Sequence, residues 1–202
     1  MQARQLEFIG AFEFTPDSFP DHRGLFVAPF QEAVFTEAVG HGLHVAQSNH
    51  SVSARNVVRG VHFAEVPPGQ AKYVYCPAGG ILDVVVDVRI GSPTFGRWQA
   101  VRLDSAEYRA LYLAEGLGHA FAALSDDTAV AYLCSTAYNP AVEHGVNPLD
   151  PDLDLPWGEL GADPILSAKD RDAPSLSEAA EAGLLPHYDD CLARYERLRA
   201  GS

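Results

Sequence analysis

Cations are scarce in this chain: 14 Lys plus Arg stand against 27 Asp plus Glu, a formal net charge of -13. Phosphate-backbone affinity needs clustered cations, so a general nucleic-acid surface is excluded. A small anionic ligand is not, because it needs only a local cluster of positive charge, and each basic residue becomes informative for that reason. Long apolar runs are missing too. No stretch of about eighteen apolar residues occurs, the length a membrane helix requires, and the opening Met1-Gln2-Ala3-Arg4-Gln5 has no apolar signal-peptide core. The expectation is a soluble, cytoplasmic protein with neither nucleic-acid nor membrane partners. Cys76, Cys134 and Cys191 are isolated and odd in number, with no CxxC pair. They indicate neither a disulfide framework nor a zinc knuckle, and read as reduced, partly buried thiols. Absent as well are GxSxG, GxxxxGK and GxGxxG, which removes the usual signatures of acyl transfer, P-loop chemistry and nicotinamide binding.

What is present is β pattern. The 202 residues, 47% of them apolar, suffice for one substantial core, and a single domain over residues 1–202 is expected. Residues 1–20 read as an entry strand carrying Phe8, Phe12 and Phe14. A turn at Asp21-His22-Arg23-Gly24 leads into a short apolar strand, and Gln31 to Ala38 allows two helical turns stopped by Gly40. Strands are then predicted near 43–53, 57–63, 72–76, 80–90, 97–103, 110–114, 119–124 and 129–138, each bounded by Gly, Pro, Asn or Asp. Short strands at this spacing without intervening helices predict a mainly β fold, an antiparallel jelly-roll barrel. Prolines at 140, 148, 151, 156 and 164 keep the following stretch loop-like. Short C-terminal helices close the chain at about 175–200: Ser175 with Glu178 forms a capping box for a segment ending at Gly183, and 187–200 has Leu192, Tyr195 and Leu198 at helical spacing.

Side chains alternate across a strand, which permits a parity check on Gly80-Ile81-Leu82-Asp83-Val84-Val85-Val86-Asp87-Val88-Arg89. Leu82, Val84, Val86 and Val88 share a core face. Asp83, Val85, Asp87 and Arg89 share the other, and its carboxylates either meet solvent or line a polar cavity beside Lys72. Parity also separates Arg59 from His62 in Arg59-Gly60-Val61-His62. A bulge at Gly60 would reset the alternation and aim both into one pocket; a regular ladder would turn Arg59 away.

The candidate chemistry centres on His62 and Lys72, a potential base and a potential oxyanion partner on neighbouring strand-like runs joined by Val66-Pro67-Pro68-Gly69. His119, Tyr132 and Tyr138 also fall on predicted strands or at their ends, which suits the interior or mouth of a small barrel. Metal-binding jelly rolls usually supply paired histidines with a carboxylate. His62-Phe63-Ala64-Glu65 offers one histidine, and His41-Gly42-Leu43-His44 sits in a Gly-flanked loop, so no metal is expected. What remains is cofactor-free acid/base work: a histidine base, a lysine at a developing oxyanion and a tyrosine proton donor suffice for proton exchange next to a carbonyl.

Those residues sit in a longer ordered set. Asp21-x-Arg23-Gly24-x-Phe26, Gln47-x-Asn49-x-Ser51-x-Ser53, Arg59-Gly60-Val61-His62 and Gln70-x-Lys72 come first. Asp83-Val84-Val85-Val86-Asp87-Val88-Arg89-x-Gly91-Ser92-Pro93-Thr94-Phe95-Gly96, Gly118-His119-x-Phe121, Tyr132, Tyr138-x-Pro140-x-x-Glu143, Asp150-Pro151 and Ser167-x-Lys169-Asp170-x-x-Ala173-Pro174 follow. Over roughly residues 5 to 185 the chain resembles the dTDP-4-dehydrorhamnose 3,5-epimerase family. The resemblance implies a cupin-type jelly roll, active as a homodimer without cofactor, that inverts the carbons flanking the 4-keto group of a dTDP-4-keto-6-deoxyhexose. Carried over by position, His62 is the general base, Asp170 orients and polarises it, Lys72 faces the C4 oxygen and Tyr132 is the proton donor on the opposite sugar face. Arg23, Gln47, Asn49, Arg59, His119, Tyr138, Glu143 and Lys169 match substrate contacts. A buried aspartate partner is expected to raise the basicity of His62 and fix its tautomer.

One departure stands out. Where the family usually has a glutamate after its Arg-Gly, this chain has Ala28 in Phe26-Val27-Ala28-Pro29-Phe30, so one polar contact to the nucleotide is missing. Relatives that invert only C3 or only C5 share the same catalytic set, which leaves single inversion open beside double inversion. A silent cupin that binds a nucleotide sugar or a metal is the non-enzymatic alternative.

Overall fold

Segments of alternating polarity cut by turn residues form strands because only pairing satisfies their backbone while burying one face. The computed structural model describes residues 1–201. Its strands are β1 (Gln2–Gln5), β2 (Ala11–Thr15), β3 (Ser18–Asp21) and β4 (Gly24–Val27), then, after helix α1 (Glu32–Val39), β5 (Gln47–Ser53), β6 (Val58–Ala64), β7 (Lys72–Ala78) and β8 (Gly80–Val86). Next come β9 (Trp98–Asp104), β10 (Ala110–Leu113), β11 (Gly118–Ala123), β12 (Thr128–Cys134) and β13 (Glu143–Gly145). A 3-10 turn at Trp157–Leu160 precedes α2 (Ala168–Arg171), α3 (Leu176–Glu181) and α4 (Tyr188–Ala200).

The strands build two antiparallel sheets, β1-β2-β10-β7-β12-β5 and β13-β6-β11-β8-β9, while β3 and β4 form a separate hairpin. This is the mainly β jelly roll with short C-terminal helices that was expected. Each predicted strand appears with shifted ends, 43–53, 80–90 and 129–138 mostly shortened and 72–76 lengthened to Ala78. The entry strand is a hairpin instead, β1 folding back on β2. β8 stops at Val86 because the Asp87 carboxylate gathers Arg89, Ser92 and Thr94 around a turn. β12 stops at Cys134 because the hydroxyls of Ser135 and Thr136 bond the backbone of Ala71 and Gly69 instead. The stop at Gly40 and the Ser175–Glu178 capping box are both present.

Three apolar layers follow from the alternation. Between the sheets lie Val74, Val85, Leu111, Leu113, Phe121 and Val130. Outside the larger sheet, Phe14, Tyr73 and Tyr112 pack under Phe35 of α1 and Tyr195 of α4. Outside the smaller sheet, Leu82, Val84, Val86 and Val88 are covered by the C-terminal stretch through Leu153, Trp157 and Leu176. Fully burying one such side chain contributes roughly 1.5–3 kcal/mol.

Asp87 and Arg89 are fully buried, and neither meets solvent. Arg89 donates to both Asp87 oxygens (2.8 and 2.7 Å), to the Ile9 carbonyl (2.9 Å) and to the Tyr195 hydroxyl (3.2 Å), tying α4 to the sheets. Burial works against both charges, yet the mutual hydrogen bonds keep the Asp87 carboxyl below its ordinary range and push the Arg89 guanidinium up. Of the two carboxylates on this face, only Asp83 lies toward Lys72.

Candidate active site

Parity decides which side chains meet between the sheets. Lys72 shares the inward face of β7 with Val74, and Tyr132 shares that of β12 with Val130. Asn49 opposes Tyr132 and Gln47 opposes Cys134 across the β5–β12 ladder, so both point the same way. From the facing sheet come His119 of β11, on the side of Phe121, and Asp83 of β8, on the side of Val85.

β6 needs the bulge. His119 opposes His62 but Phe121 opposes Arg59, so β6 carries one residue more than β11 over this interval. Gly60 takes a positive φ of 117°, and a Cβ there would stand 2.5 Å from the His119 carbonyl oxygen and 2.6 Å from the Ala120 Cα. Only glycine fits. The reset puts Arg59 with His62 in one cleft, where Arg59 Nε donates to Ser53 Oγ at 3.2 Å.

The open end of the sandwich holds a cavity of about 290 Å³. His62, from the smaller sheet, and Tyr132 and Lys72, from the larger, line it together. Gln47, Asn49, Tyr138, Glu143 and Lys169 complete the predicted members of its wall. An adjoining cleft shares His62 and Lys169 and adds Arg59, Ser167 and Asp170. His119 sits behind His62, its Nε2 on Asp83 Oδ2 at 2.8 Å.

His62 Nε2 lies 2.6 Å from Asp170 Oδ1, while 35% of the His62 side chain stays exposed. Ser167 caps α2 by accepting from the Asp170 amide, which aims that carboxyl at the ring. Burial raises the Asp170 carboxyl, but the His62 hydrogen bond and charge, Ser167 and Lys169 together hold it below the usual range. An ionised Asp170 accepts the Nε2 proton, so neutral His62 keeps its Nδ1 lone pair free. The pKa of His62 itself goes the other way from expectation. Desolvation is the largest influence and, with Lys72 and His119, outweighs the lift from Asp170, leaving the imidazole below 6.5. Asp170 orients the ring without making it more basic than a free histidine.

Burial likewise lowers the Lys72 ammonium, against the opposing pull of Cys134, Glu143 and Asp83. Burial raises the Tyr132 phenol, with Arg59 opposing, so it holds its proton at neutral pH. Glu143 Oε1 accepts from Gln70 Nε2 (3.2 Å) and the Asn139 amide (3.0 Å); Gln47 Oε1 accepts from the Tyr138 amide (2.9 Å).

Two predicted site residues line neither the cavity nor the cleft: His119, buried behind His62 against Asp83, and Arg23. Arg23 stands on the β3–β4 hairpin, 78% of its side chain exposed, and pairs with Asp21. That hairpin pairs with neither large sheet, so nothing in the fold carries its tip to the cavity. Ala28 follows the same hairpin. Two lining residues were not assigned beforehand: Gln70, two residues before Lys72 and therefore at its mouth, and His144, whose Nε2 lies 2.7 Å from Glu65 Oε1. The Gln70-x-Lys72 spacing was visible for the first; for the second only its place beside Glu143 pointed there. Among the described residues, no group of three His, Cys, Asp or Glu side chains is arranged to hold a metal ion, and no helix is long and apolar enough to cross a membrane.

A family profile described as dTDP-4-dehydrorhamnose 3,5-epimerase matches residues 5–178, most of the chain. The chain belongs to the dTDP-4-dehydrorhamnose 3,5-epimerase family. Members of this family are isomerases. The dTDP-4-dehydrorhamnose 3,5-epimerase of Mycolicibacterium smegmatis is 55% identical over 199 residues, covering 98% of each chain. The crystal structure of the rmlC epimerase of Mycobacterium tuberculosis superposes with a TM-score of 0.96 at 47% identity, over 98% of this chain and 100% of that one. ChmJ, a 3'-monoepimerase from Streptomyces bikiniensis solved in complex with dTDP-quinovose, gives a TM-score of 0.94 at 48% identity, over 97% and 98% of the two chains.

Proposed function

We propose that this epimerase acts on dTDP-4-dehydro-6-deoxy-D-glucose and inverts C3 and C5 without a cofactor. The observation that carries the reading is that His62 and Tyr132 reach one cavity from opposite sheets, with the Lys72 ammonium beside them. Inversion requires that a proton leave one face of the ring and another arrive on the opposite face, so two groups on facing walls are what it needs.

His62 Nδ1 takes the proton from the carbon next to the ketone, and the electron pair moves onto the C4 oxygen. Lys72 meets that enolate with fixed positive charge, a contribution of about 3 kcal/mol to the barrier for a preorganised donor. Tyr132 then gives its phenolic proton to the far face of the carbon. His62 leaves the cycle protonated and Tyr132 deprotonated, and exchange with solvent through the open mouth restores both. Arg59 and Lys169, in the adjoining cleft, supply the local positive charge that a pyrophosphate needs within this acidic chain. Gln47, Asn49, Tyr138 and Glu143 hold the sugar and nucleotide, with His119 supporting His62 from behind.

The working unit in this reading is a cytoplasmic homodimer. The β3–β4 hairpin, with Phe19, Leu25 and Phe26 exposed, lies against a second copy and delivers Arg23 to that copy's site. Ala28, on the same segment, rearranges base recognition by leaving one polar contact out. Single inversion at C3 is the second reading, favoured by the likeness to the 3'-monoepimerase ChmJ.

The test is incubation with the 4-keto sugar nucleotide in deuterated water, with the label located by NMR. Label at C3 and C5 is expected; label at C3 alone selects the second reading, and no label at either removes both. Light scattering on the same sample reports the dimer.

A further inference from the structure

We infer that Gln70 is a positioning residue that controls how evenly the two carbons are processed. The inference rests on the epimerase reading and concerns the same cavity. In the D-gluco chair the hydrogens on C3 and C5 lie on the same ring face, one carbon either side of the ketone. A single base and a single donor serve both carbons only if the ring shifts in the cavity between the two removals. The slack of the cavity wall therefore sets the balance between the carbons.

The part of that wall outside the strands is the connection from β12 to β13, which carries Tyr138 over the mouth with 54% of its area exposed. Its ends keep backbone bonds, Ser135 N–H to the Ala71 carbonyl (3.0 Å) and Glu65 N–H to the Val142 carbonyl (3.0 Å), while Thr136 to Asn139 between them are tied outward through side chains, among them the Thr136 hydroxyl on the Gly69 carbonyl (3.0 Å). Gln70 Nε2 donates both to the Thr136 carbonyl (3.3 Å) and to Glu143 Oε1 (3.2 Å), and the same Glu143 oxygen accepts from the Asn139 amide (3.0 Å). Gln70 thus grips this connection at both ends, Thr136 directly and Asn139 through Glu143. From the far side Gln47 Oε1 takes the Tyr138 amide at 2.9 Å. Since Gln70 stands two residues before Lys72, the tie fixes the height of Tyr138 relative to the ammonium that receives the enolate oxygen.

Cutting the tie frees the ring to seat either carbon. In Gln70→Leu the exchange of the slower carbon relative to the faster one is expected to move toward unity by at least about threefold, with total exchange reduced, as for loosened discrimination between two similar reacting groups. Amide hydrogen exchange at Thr136–Asn139 is expected to quicken in the same variant. Gln70→Glu, which keeps the size but repels Glu143, is expected to do the same and serves if the leucine variant fails to fold. An unchanged ratio of the two carbons in a folded variant, whatever the total rate, overturns the inference. Absence of label in the unmodified enzyme instead overturns the epimerase reading itself, so the two failures are distinct.

Discussion

Asp170 reaches His62 across 108 residues of chain, with Oδ1 2.6 Å from Nε2. The contact exists because a short capped helix in the C-terminal stretch docks beside β6, and it engages Nε2 and so leaves Nδ1 as the ring nitrogen available for a proton.

Asp170→Asn keeps the shape but replaces an acceptor-only carboxylate with an amide that can also donate to Nε2, so the productive tautomer of the neutral ring is no longer enforced. A loss in kcat of about 10²–10⁴ is expected, within the range a positioned general base supplies, with KM little changed. Adding Asp170→Asn to His62→Ala should cost almost nothing further, since the carboxylate acts only through the ring. Steady-state kinetics on the single and double variants checks this; additive losses would count against the dyad.

The pH profile follows from the direction of the His62 shift. Its folded-state pKa is lowered, chiefly by burial, so the ring stays neutral and base-competent somewhat below 6.5. The acid limb of kcat/KM is therefore expected below 6.5 and not above it. Asp170→Asn removes a group that raises the pKa and should push the limb lower still. For stability, the unfolded chain binds this proton first, so the contribution is intact above about 6.5 and erodes as pH falls toward the folded-state value. Chemical denaturation across that range reads the second effect separately from the first.

Lys72 is held charged at a cost, because burial lowers its ammonium while the carboxylates nearby only partly compensate. Lys72→Met should raise Tm, by about 2–4 °C for each kcal/mol recovered in a protein of this size. The same change should lower kcat about 10²–10³-fold, as for a lost oxyanion donor. Calorimetry and kinetics on one preparation decide it; a variant that is both less stable and fully active would contradict the assigned role.

Arg89→Met leaves Asp87 as an uncompensated buried charge far from the cavity wall. Breaking such a pair costs about 3–5 kcal/mol, so a large shift of the urea midpoint is expected, with kcat/KM of the folded fraction preserved.

Gly60→Ala places a methyl group against the His119 carbonyl and Ala120. The bulge should be lost or strained, with lower stability and a raised KM as Arg59 swings out of the cleft. A variant whose KM matches the parent would mean that the bulge does not serve the site.

Much of this was legible from local pattern. Alternation located every strand from β5 to β12; that the face Lys72 shares with Val74, and Tyr132 with Val130, is the inward one came from the packing of the two sheets. Strand ends were less legible, because β12 ends where Ser135 and Thr136 find partners distant in sequence and β8 ends where buried Asp87 draws the next few residues into a turn. His144 was not legible for a similar reason: its partner Glu65, next to the end of the neighbouring strand β6, is 79 residues away in sequence.

By itself the sequence determined residue chemistry, strand periodicity and the order of motifs, all of which are written in neighbouring residues. Tertiary structure alone decided that the bulge at Gly60 turns Arg59 toward His62, that Asp83 and Asp87 are buried and serve different partners, and that Arg23 lies outside the cavity of its own chain. It also decided the sign of the His62 shift. Solvent exclusion and charge proximity are properties of how distant segments pack, and no local spacing encodes them.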